Sequence, residues 1–290
     1  MADPLPISYL NGEYVPLREA RISPLDRGFL YSDGVYEVMP VYDGRPFRFE
    51  AHAERLTRSL AGIQMEDPHT RGEWREIIST LVSRNGDGHQ YVYWQVTRGA
   101  EYGRNHAPLP KVPRTVFAFC APLPIASAAT LEKGIACVTT EDTRWARCDI
   151  KSVSLLANIL LRQQAVDAGA AEVILLKDGQ LREASSSAVH VVTGGVILSP
   201  PRSQAILPST TRSAMEEVAG AAGLAHRTAP VSEQQLRSAD EIWISAATRE
   251  VQPVTQLDGK PVGSGKPGPL WRRIHEAWQR YKQSLAGQPW

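Results

Sequence analysis

Two periods of hydrophobic and polar positions alternate along the chain. The run ISYL-NG-EYVP pairs two short strands across Asn11-Gly12, a dipeptide suited to a two-residue primed turn, and Asp43-Gly44 marks a second hairpin. From residue 50 the period lengthens. Leu56, Leu60 and Ile63 recur at spacings of four and three, and Trp74, Ile77, Ile78, Leu81 and Val82 lie over 73–83, so both stretches are predicted as helices. YVYWQVT (91–97) and TVFAFCA (115–121) read as strands, and the two prolines of PLPIAS (122–127) punctuate the chain.

Beyond that punctuation, GIACVTT reads as a strand. Val153–Ala168 reads as a helix with Val153, Leu156, Ile159 and Leu160 on one face and Gly169 as its stop. EVILLK, an Asp178-Gly179 turn, and AVHVV-TGG-VILS form a meander, ILPSTTR opens a helix running to Gly223, EIWISA is a later strand, and 270–283 is a polar terminal helix. The expected organisation is an N-terminal α/β domain over 1–122, a linker over 123–127 and a C-terminal α/β domain over 128–290. This mixed α/β order has no regular βαβ alternation, so a Rossmann-type sheet is not expected, and neither G-x-G-x-x-G nor a P-loop is present.

Charge removes several function classes. With 32 Lys+Arg against 31 Asp+Glu the net charge is +1, which lacks the electrostatic footprint of a nucleic-acid binder, and no basic run suits an anionic membrane surface. MADPLPISYL has no basic segment followed by an apolar one, so no secretory signal is expected, and no apolar stretch reaches the ~20 residues of a transmembrane helix. Cys120, Cys137 and Cys148 lack CxxC spacing and fit reduced thiols in a cytoplasmic protein. The seven histidines show no H-x₃-H spacing, so no metal is expected.

Four groups of residues carry candidate chemistry. Among the few lysines, Lys133, Lys177, Lys260 and Lys266 sit beside glycines or Asp-Gly turns, and Lys282 lies near the terminus. Lys151 instead stands between Ile150 and the predicted start of an apolar-faced helix, where a cation opposes the helix dipole and invites an anionic ligand or a covalent adduct. Ser209, Thr210 and Thr211 offer hydroxyls and amides at a helix start, as a phosphate or carboxylate requires. Glu183 precedes three serines, a place for a carboxylate on a ring nitrogen. Arg104 and His106 alternate in a polar loop and suit a carboxylate together. Taken singly, each also fits snorkelling, capping or a solvated surface.

Together and in this order, DRGFLYSDGVYEV (26–38), HAERL (52–56), RNH (104–106), RWARCDIKSVSLL (144–156), EASSSAV (183–189), ILPSTTR (206–212) and EVQPV (250–254) resemble the fold type IV pyridoxal-phosphate enzymes. RCDIKS followed by E-x-SSS is specific to the fold type, and the RNH loop paired with Tyr36 resembles the D-amino-acid aminotransferase branch.

The resemblance implies a two-domain enzyme holding pyridoxal 5′-phosphate between its domains. It puts Lys151 at the Schiff-base lysine that later moves the substrate's Cα proton, and Glu183 at the partner of the pyridine nitrogen. It puts Arg55, Thr210, Thr211 and Thr248 around the phosphate, Leu207 against the ring, and Ser186 and Ser187 on polar substituents. Tyr36, Arg104 and His106 fall on the trap for the substrate carboxylate, the Arg-His loop coming from the neighbouring subunit of a homodimer. Where the family commonly has tandem threonines after a strand, this chain has Ala247-Thr248, so one hydroxyl is missing.

The implied activity is ping-pong transamination of a D-amino acid such as D-alanine with a 2-oxo acid such as 2-oxoglutarate. Branched-chain L-aminotransferases, R-selective amine transaminases and aminodeoxychorismate lyase share the scaffold, and the pocket decides among them. A protein of another class, binding phosphate or nucleotide at the helix start without catalysis, would be colourless.

Overall fold

The computed structural model describes residues 3–86, 88–285 and 290. The chain divides into two compact units: Met1–Pro124 with Ile150–Leu155 and Trp290, and Ile125–Asp149 with Leu156–Pro289.

In the first unit, β1 (Ile7–Leu10) and β2 (Glu13–Pro16) form the predicted hairpin, with Asn11 at φ 49° and Gly12 at φ 102° as a primed turn demands. The short helix α1 (Arg27–Tyr31), capped by the Asp26 side chain on the Gly28 amide, carries no periodic signal that would predict it. Strand β3 (Gly34–Tyr42) turns through Asp43-Gly44 into β4 (Arg45–Pro46). Helices α2 (Phe49–Gly62) and α3 (Arg71–Arg84) follow. A reciprocal Thr70–Glu73 capping box starts α3 and contributes about 1 kcal/mol.

Strands β5 (Gln90–Thr97) and β6 (Thr115–Pro122) complete a six-stranded antiparallel sheet in the order β2-β1-β6-β5-β3-β4. Gly34 is required where β3 meets β5, because a Cβ there would stand 2.8 Å from the Val96 carbonyl. Val35, Met39 and Val41 from β3 pack with Leu56 and Leu60 of α2, Ile78 and Leu81 of α3, and Trp94 of β5.

Residues 150–155 join this unit through the backbone. Lys151 O accepts from Tyr36 N at 3.0 Å, Val153 N donates to Gly34 O at 3.1 Å, and Lys151 N donates to Ser59 Oγ at 3.1 Å. The predicted helix therefore starts later than its apolar spacing suggests, because these residues spend their polar groups on β3 and α2.

The second unit begins with α4 (Ala128–Lys133), β7 (Ile135–Glu141), α5 (Leu156–Asp167) and β8 (Glu172–Lys177). It continues with β9 (Gln180–Ala184), β10 (Ala188–Thr193), β11 (Val196–Ser199) and α6 (Thr210–Ala221). Then come β12 (His226–Thr228), α7 (Glu233–Arg237), β13 (Glu241–Ala246), β14 (Glu250–Leu257), β15 (Lys260–Pro261) and α8 (Pro269–Ser284). Its sheet runs β12-β11-β10-β13-β14-β7-β8-β9, with β15 on β14. The pairs β11/β12, β14/β7 and β7/β8 are parallel and the others antiparallel, so the sheet is mixed, and β7-α5-β8 and β11-α6-β12 are its two helical crossovers between neighbouring strands.

The apolar face expected of α5 points outward. Leu156, Ile159 and Leu160 are 70%, 61% and 61% exposed, while Leu161 and Ala165 make the buried contacts. Among the described residues no helix is long and apolar enough to cross a membrane, and no group of three His, Cys, Asp or Glu residues is placed to hold a metal.

Candidate active site

In the first unit the site is built on β3 and α2. Strand alternation sends Val35, Glu37 and Met39 to the face covered by α2 and Tyr36 to the other. A carboxylate at a core position needs cationic partners, and α2 supplies them one turn apart. Arg55 Nε and Nη2 donate to the two Glu37 oxygens at 2.7 Å each, and His52 Nδ1 lies 2.9 Å from Glu37 Oε2. Burial alone would raise the Glu37 carboxyl, but Arg55 and His52 hold it down at about 2. Burial lowers the His52 pKa against the pull of Glu37. Arg55, assigned to the phosphate by resemblance, is thus oriented by a fork on Glu37.

Lys151 lies five residues before α5, so opposition to that helix's dipole is not what distinguishes it. Its ammonium stands 4.0 Å from the Tyr36 ring centroid and makes no ion pair or hydrogen bond among the described residues. Tyr36 in turn stacks on Tyr93, with ring centroids 5.5 Å apart. The structure brings Lys151 and Tyr36 together.

Arg104 and His106 gather around Tyr31 instead of Tyr36. The Arg104 guanidinium carbon is 4.9 Å from the Tyr31 centroid, and the His106 ring is 5.6 Å from it. Both lie in the exposed loop between β5 and β6.

In the second unit Glu183, next to last in β9, is almost completely buried. It accepts from Arg144 Nη1 at 2.6 Å and from Leu207 N at 3.2 Å on both oxygens. Arg144 also grips Asp142, with Nε–Oδ1 at 2.9 Å and Nη2–Oδ2 at 2.8 Å, which fixes the guanidinium from behind. Burial pushes the Glu183 carboxyl up to about 7 against Arg144 and the Leu207 amide.

The three serines after Glu183 gather on a second buried carboxylate. Ser186 Oγ donates to Glu172 Oε2 at 2.7 Å, Ser187 Oγ to the same oxygen at 3.4 Å, and Ser185 Oγ to Glu172 Oε1. A fully buried carboxylate has to be satisfied, so the protons of these hydroxyls are committed to Glu172, and their oxygens keep only acceptor capacity. Thr210 and Thr211 are the first two residues of α6, behind an N-cap in which Ser209 Oγ accepts from Arg212 N at 3.1 Å. Thr248 sits half-buried in the turn between β13 and β14, next to Ala247.

Glu37, His52, Asp142, Arg144 and Glu172 contact the candidate site residues or one another, and the sequence alone does not single them out. Glu37 had a readable signal: a charged residue on the core-facing register of V-x-E-x-M-x-V, followed by a His and an Arg three apart. Glu172 offered none, since an acid at a strand start is ordinary.

The raised Glu183 pKa has a measurable consequence in the cofactor-free protein. Its folded value lies above the usual 4.5, so the folded state holds the extra proton, and stability falls as pH rises from about 4.5 to 7. Glu183→Gln removes that loss. Denaturant midpoints at pH 5 and pH 8 should show the variant gaining up to about 3 kcal/mol relative to wild type at the higher pH. An unchanged difference would place the carboxylate in its ordinary range.

The family profile described as Amino-transferase class IV matches residues 34–257. The chain belongs to this family, whose members use pyridoxal 5′-phosphate, and it is a pyridoxal-phosphate-dependent aminotransferase. It is similar to the D-alanine aminotransferase of Staphylococcus epidermidis, 36% identical over 277 residues that cover 95% of this chain and 98% of that one. It is also similar to the D-alanine aminotransferase of Listeria monocytogenes, 37% identical over 272 residues covering 92% and 93%.

Among solved structures, Escherichia coli branched-chain amino acid aminotransferase superposes with TM-score 0.89 at 26% identity, covering 95% of this chain and 94% of that one. The branched-chain amino acid aminotransferase of T.th., solved with pyridoxamine 5′-phosphate, gives 0.89 at 28%, covering 98% and 95%. These neighbours support the expected fold type IV architecture. The residues present suit the cofactor: an amine outside any ion pair, a buried carboxylate fixed by an arginine, and a hydroxyl-bearing helix start.

Proposed function

We propose that this enzyme transfers the amino group of a D-amino acid such as D-alanine to 2-oxoglutarate, giving pyruvate and D-glutamate by a ping-pong route. The observation that supports the choice of substrate is the pairing of Arg104 and His106 around one ring, a cation and an imidazole close enough together to suit a carboxylate. The D-alanine aminotransferase relatives, more similar in sequence than the branched-chain neighbours, support the same choice.

Pyridoxal phosphate supplies an electron sink for the negative charge that develops at the substrate Cα. In this reading the Lys151 amine would hold the cofactor covalently and, once freed, would take the Cα proton and pass it to the cofactor, so that the nitrogen stays with the cofactor and the substrate leaves as a 2-oxo acid. Glu183, oriented by Arg144, keeps the proton on the pyridine nitrogen. Arg55, Thr210, Thr211 and Thr248 bind the phosphate, Leu207 packs on the ring, and Tyr36, Arg104 and His106 receive the α-carboxylate.

We also propose a homodimer with shared active sites. The outward apolar residues of α5, Leu156, Ile159, Leu160 and Val166, are what a second copy would cover. The three cysteines, all buried and unpaired, are in keeping with a cytoplasmic enzyme.

The test is the visible spectrum of the holoenzyme under separate additions of D-alanine, L-alanine and L-leucine. The cofactor band should bleach with D-alanine alone. Bleaching with L-leucine alone would assign a branched-chain enzyme, and bleaching with no amino acid would remove the carboxylate-holding role of the loop.

A further inference from the structure

We propose that Arg27 is the positioning residue of the Arg104–His106 loop, holding its backbone in the shape that presents both side chains to a substrate carboxylate. The inference rests on the reading of that loop given above.

Arg27 opens α1 and is 3% exposed. Its guanidinium reaches the loop directly: Nη1 donates to Asn105 O at 2.6 Å and Nη2 to His106 O at 3.0 Å. The same Nη1 lies 2.5 Å from Glu101 Oε1, and Glu101 Oε2 accepts from Leu109 N at 2.9 Å. Arg27 and Glu101 therefore close the segment 101–109 from inside while its side chains from Tyr102 to Leu109 stay exposed.

The other half of the guanidinium is anchored to the fold. Nε donates to Asp33 Oδ2 at 2.9 Å, and Asp33 is itself forked by Arg98 at 2.8 and 3.0 Å. Arg98 continues to Ile63 O at 2.7 Å. Two arginines and two carboxylates balance in charge, so the cluster is a fixed base and the loop is what hangs on it. Tyr31 completes the mounting, since its ring lies 4.6 Å from Arg27 and 4.9 Å from Arg104, stacking the loop's cation over the same helix that anchors the backbone.

Only a planar fork serves four acceptors at once. Lysine keeps the charge but concentrates it on one atom, which cannot reach Asp33, Glu101 and two carbonyls together. The loop has no regular backbone structure to take over.

The experiment compares holoenzymes carrying Arg27→Lys, Arg104→Ala and Arg98→Lys. Arg98 belongs to the same ion cluster but touches no loop atom, so it reports damage to the cluster alone. Arg27→Lys should raise KM for both D-alanine and 2-oxoglutarate by ~10- to 100-fold, the range of a lost set of charged hydrogen bonds, with kcat within about threefold and the cofactor band unchanged. Limited trypsinolysis after Arg104 should quicken in Arg27→Lys and not in Arg98→Lys.

The proposal is overturned if Arg27→Lys leaves KM and cleavage at wild-type values while Arg104→Ala raises KM. It is equally overturned if Arg98→Lys raises KM as much as Arg27→Lys does. If Arg104→Ala itself leaves KM unchanged, the reading of the loop fails, and the trypsin result alone then decides whether Arg27 holds the backbone. Should Arg27→Lys not retain the cofactor band, Glu101→Gln is measured in its place. It keeps the side-chain shape and removes the charge beside Arg27. An unchanged KM and cleavage rate in that variant would overturn the proposal in the same way.

Discussion

Lys151→Ala lowers turnover of D-alanine with 2-oxoglutarate by more than about 10⁴-fold, the loss expected when covalent attachment and proton transfer go together. The fold should barely notice. Lys151 is held by its backbone, through Tyr36 N on its carbonyl and its own amide on Ser59, and neither contact involves the side chain. Its ammonium leaves no buried carboxylate behind, because it rests on the Tyr36 ring and on no acid among the described residues. Lys151→Arg should not restore activity, since a guanidinium stays protonated and has no amine to offer. Borohydride reduction followed by intact mass separates attachment from proton transfer: wild type should retain the mass of the cofactor and Lys151→Ala should not. A variant that keeps the adduct, or turns over within tenfold of wild type, would move the reacting amine to another lysine.

The hairpin turns, β5, β6 and the helices α2, α3 and α6 were legible because their signals are local: Asn-Gly and Asp-Gly dipeptides, strand alternation, and helical spacing with caps. The stretch before α5 was not. Val153, Leu156, Ile159 and Leu160 repeat as a buried helical face would, yet Val153 pairs with Gly34 and the next three lie on a helix facing outward. Periodicity shows that an apolar face exists and does not show what covers it. Lys151 stood out in the sequence for its place before a helix, a reason the structure does not support, since no helix begins there. Glu183 and the α6 start were legible as types of chemistry, and family resemblance gave them partners. The Arg27 cluster and the Glu172 serines depend on contacts across 74 and 13 positions respectively, which no local pattern encodes.

Glu37 carries the largest expected effect on stability. The triad of Glu37, His52 and Arg55 ties α2 to β3 inside the core, with Glu37 fully inaccessible. Glu37→Ala takes the carboxylate from a buried guanidinium and an imidazole at once, and such a change costs about 3–5 kcal/mol. For a chain of this size that lowers the melting temperature by roughly 10 °C. Glu37→Gln keeps the shape and should lie between the two. The pH dependence identifies the cause. The Glu37 carboxyl is held at about 2 in the fold against an ordinary 4.5, so its contribution is complete above about 4.5 and is lost as pH falls towards 2. The gap in denaturant midpoint between wild type and Glu37→Ala should therefore be widest at pH 7 and shrink by roughly half at pH 3. A gap that stays constant over that range would trace the loss to packing and not to charge. Because the same carboxylate orients Arg55, the variant should also release pyridoxal phosphate more readily at pH 7, which equilibrium dialysis measures. A destabilised variant with wild-type cofactor affinity would mean that Arg55 braces the fold and leaves the phosphate to Thr210, Thr211 and Thr248.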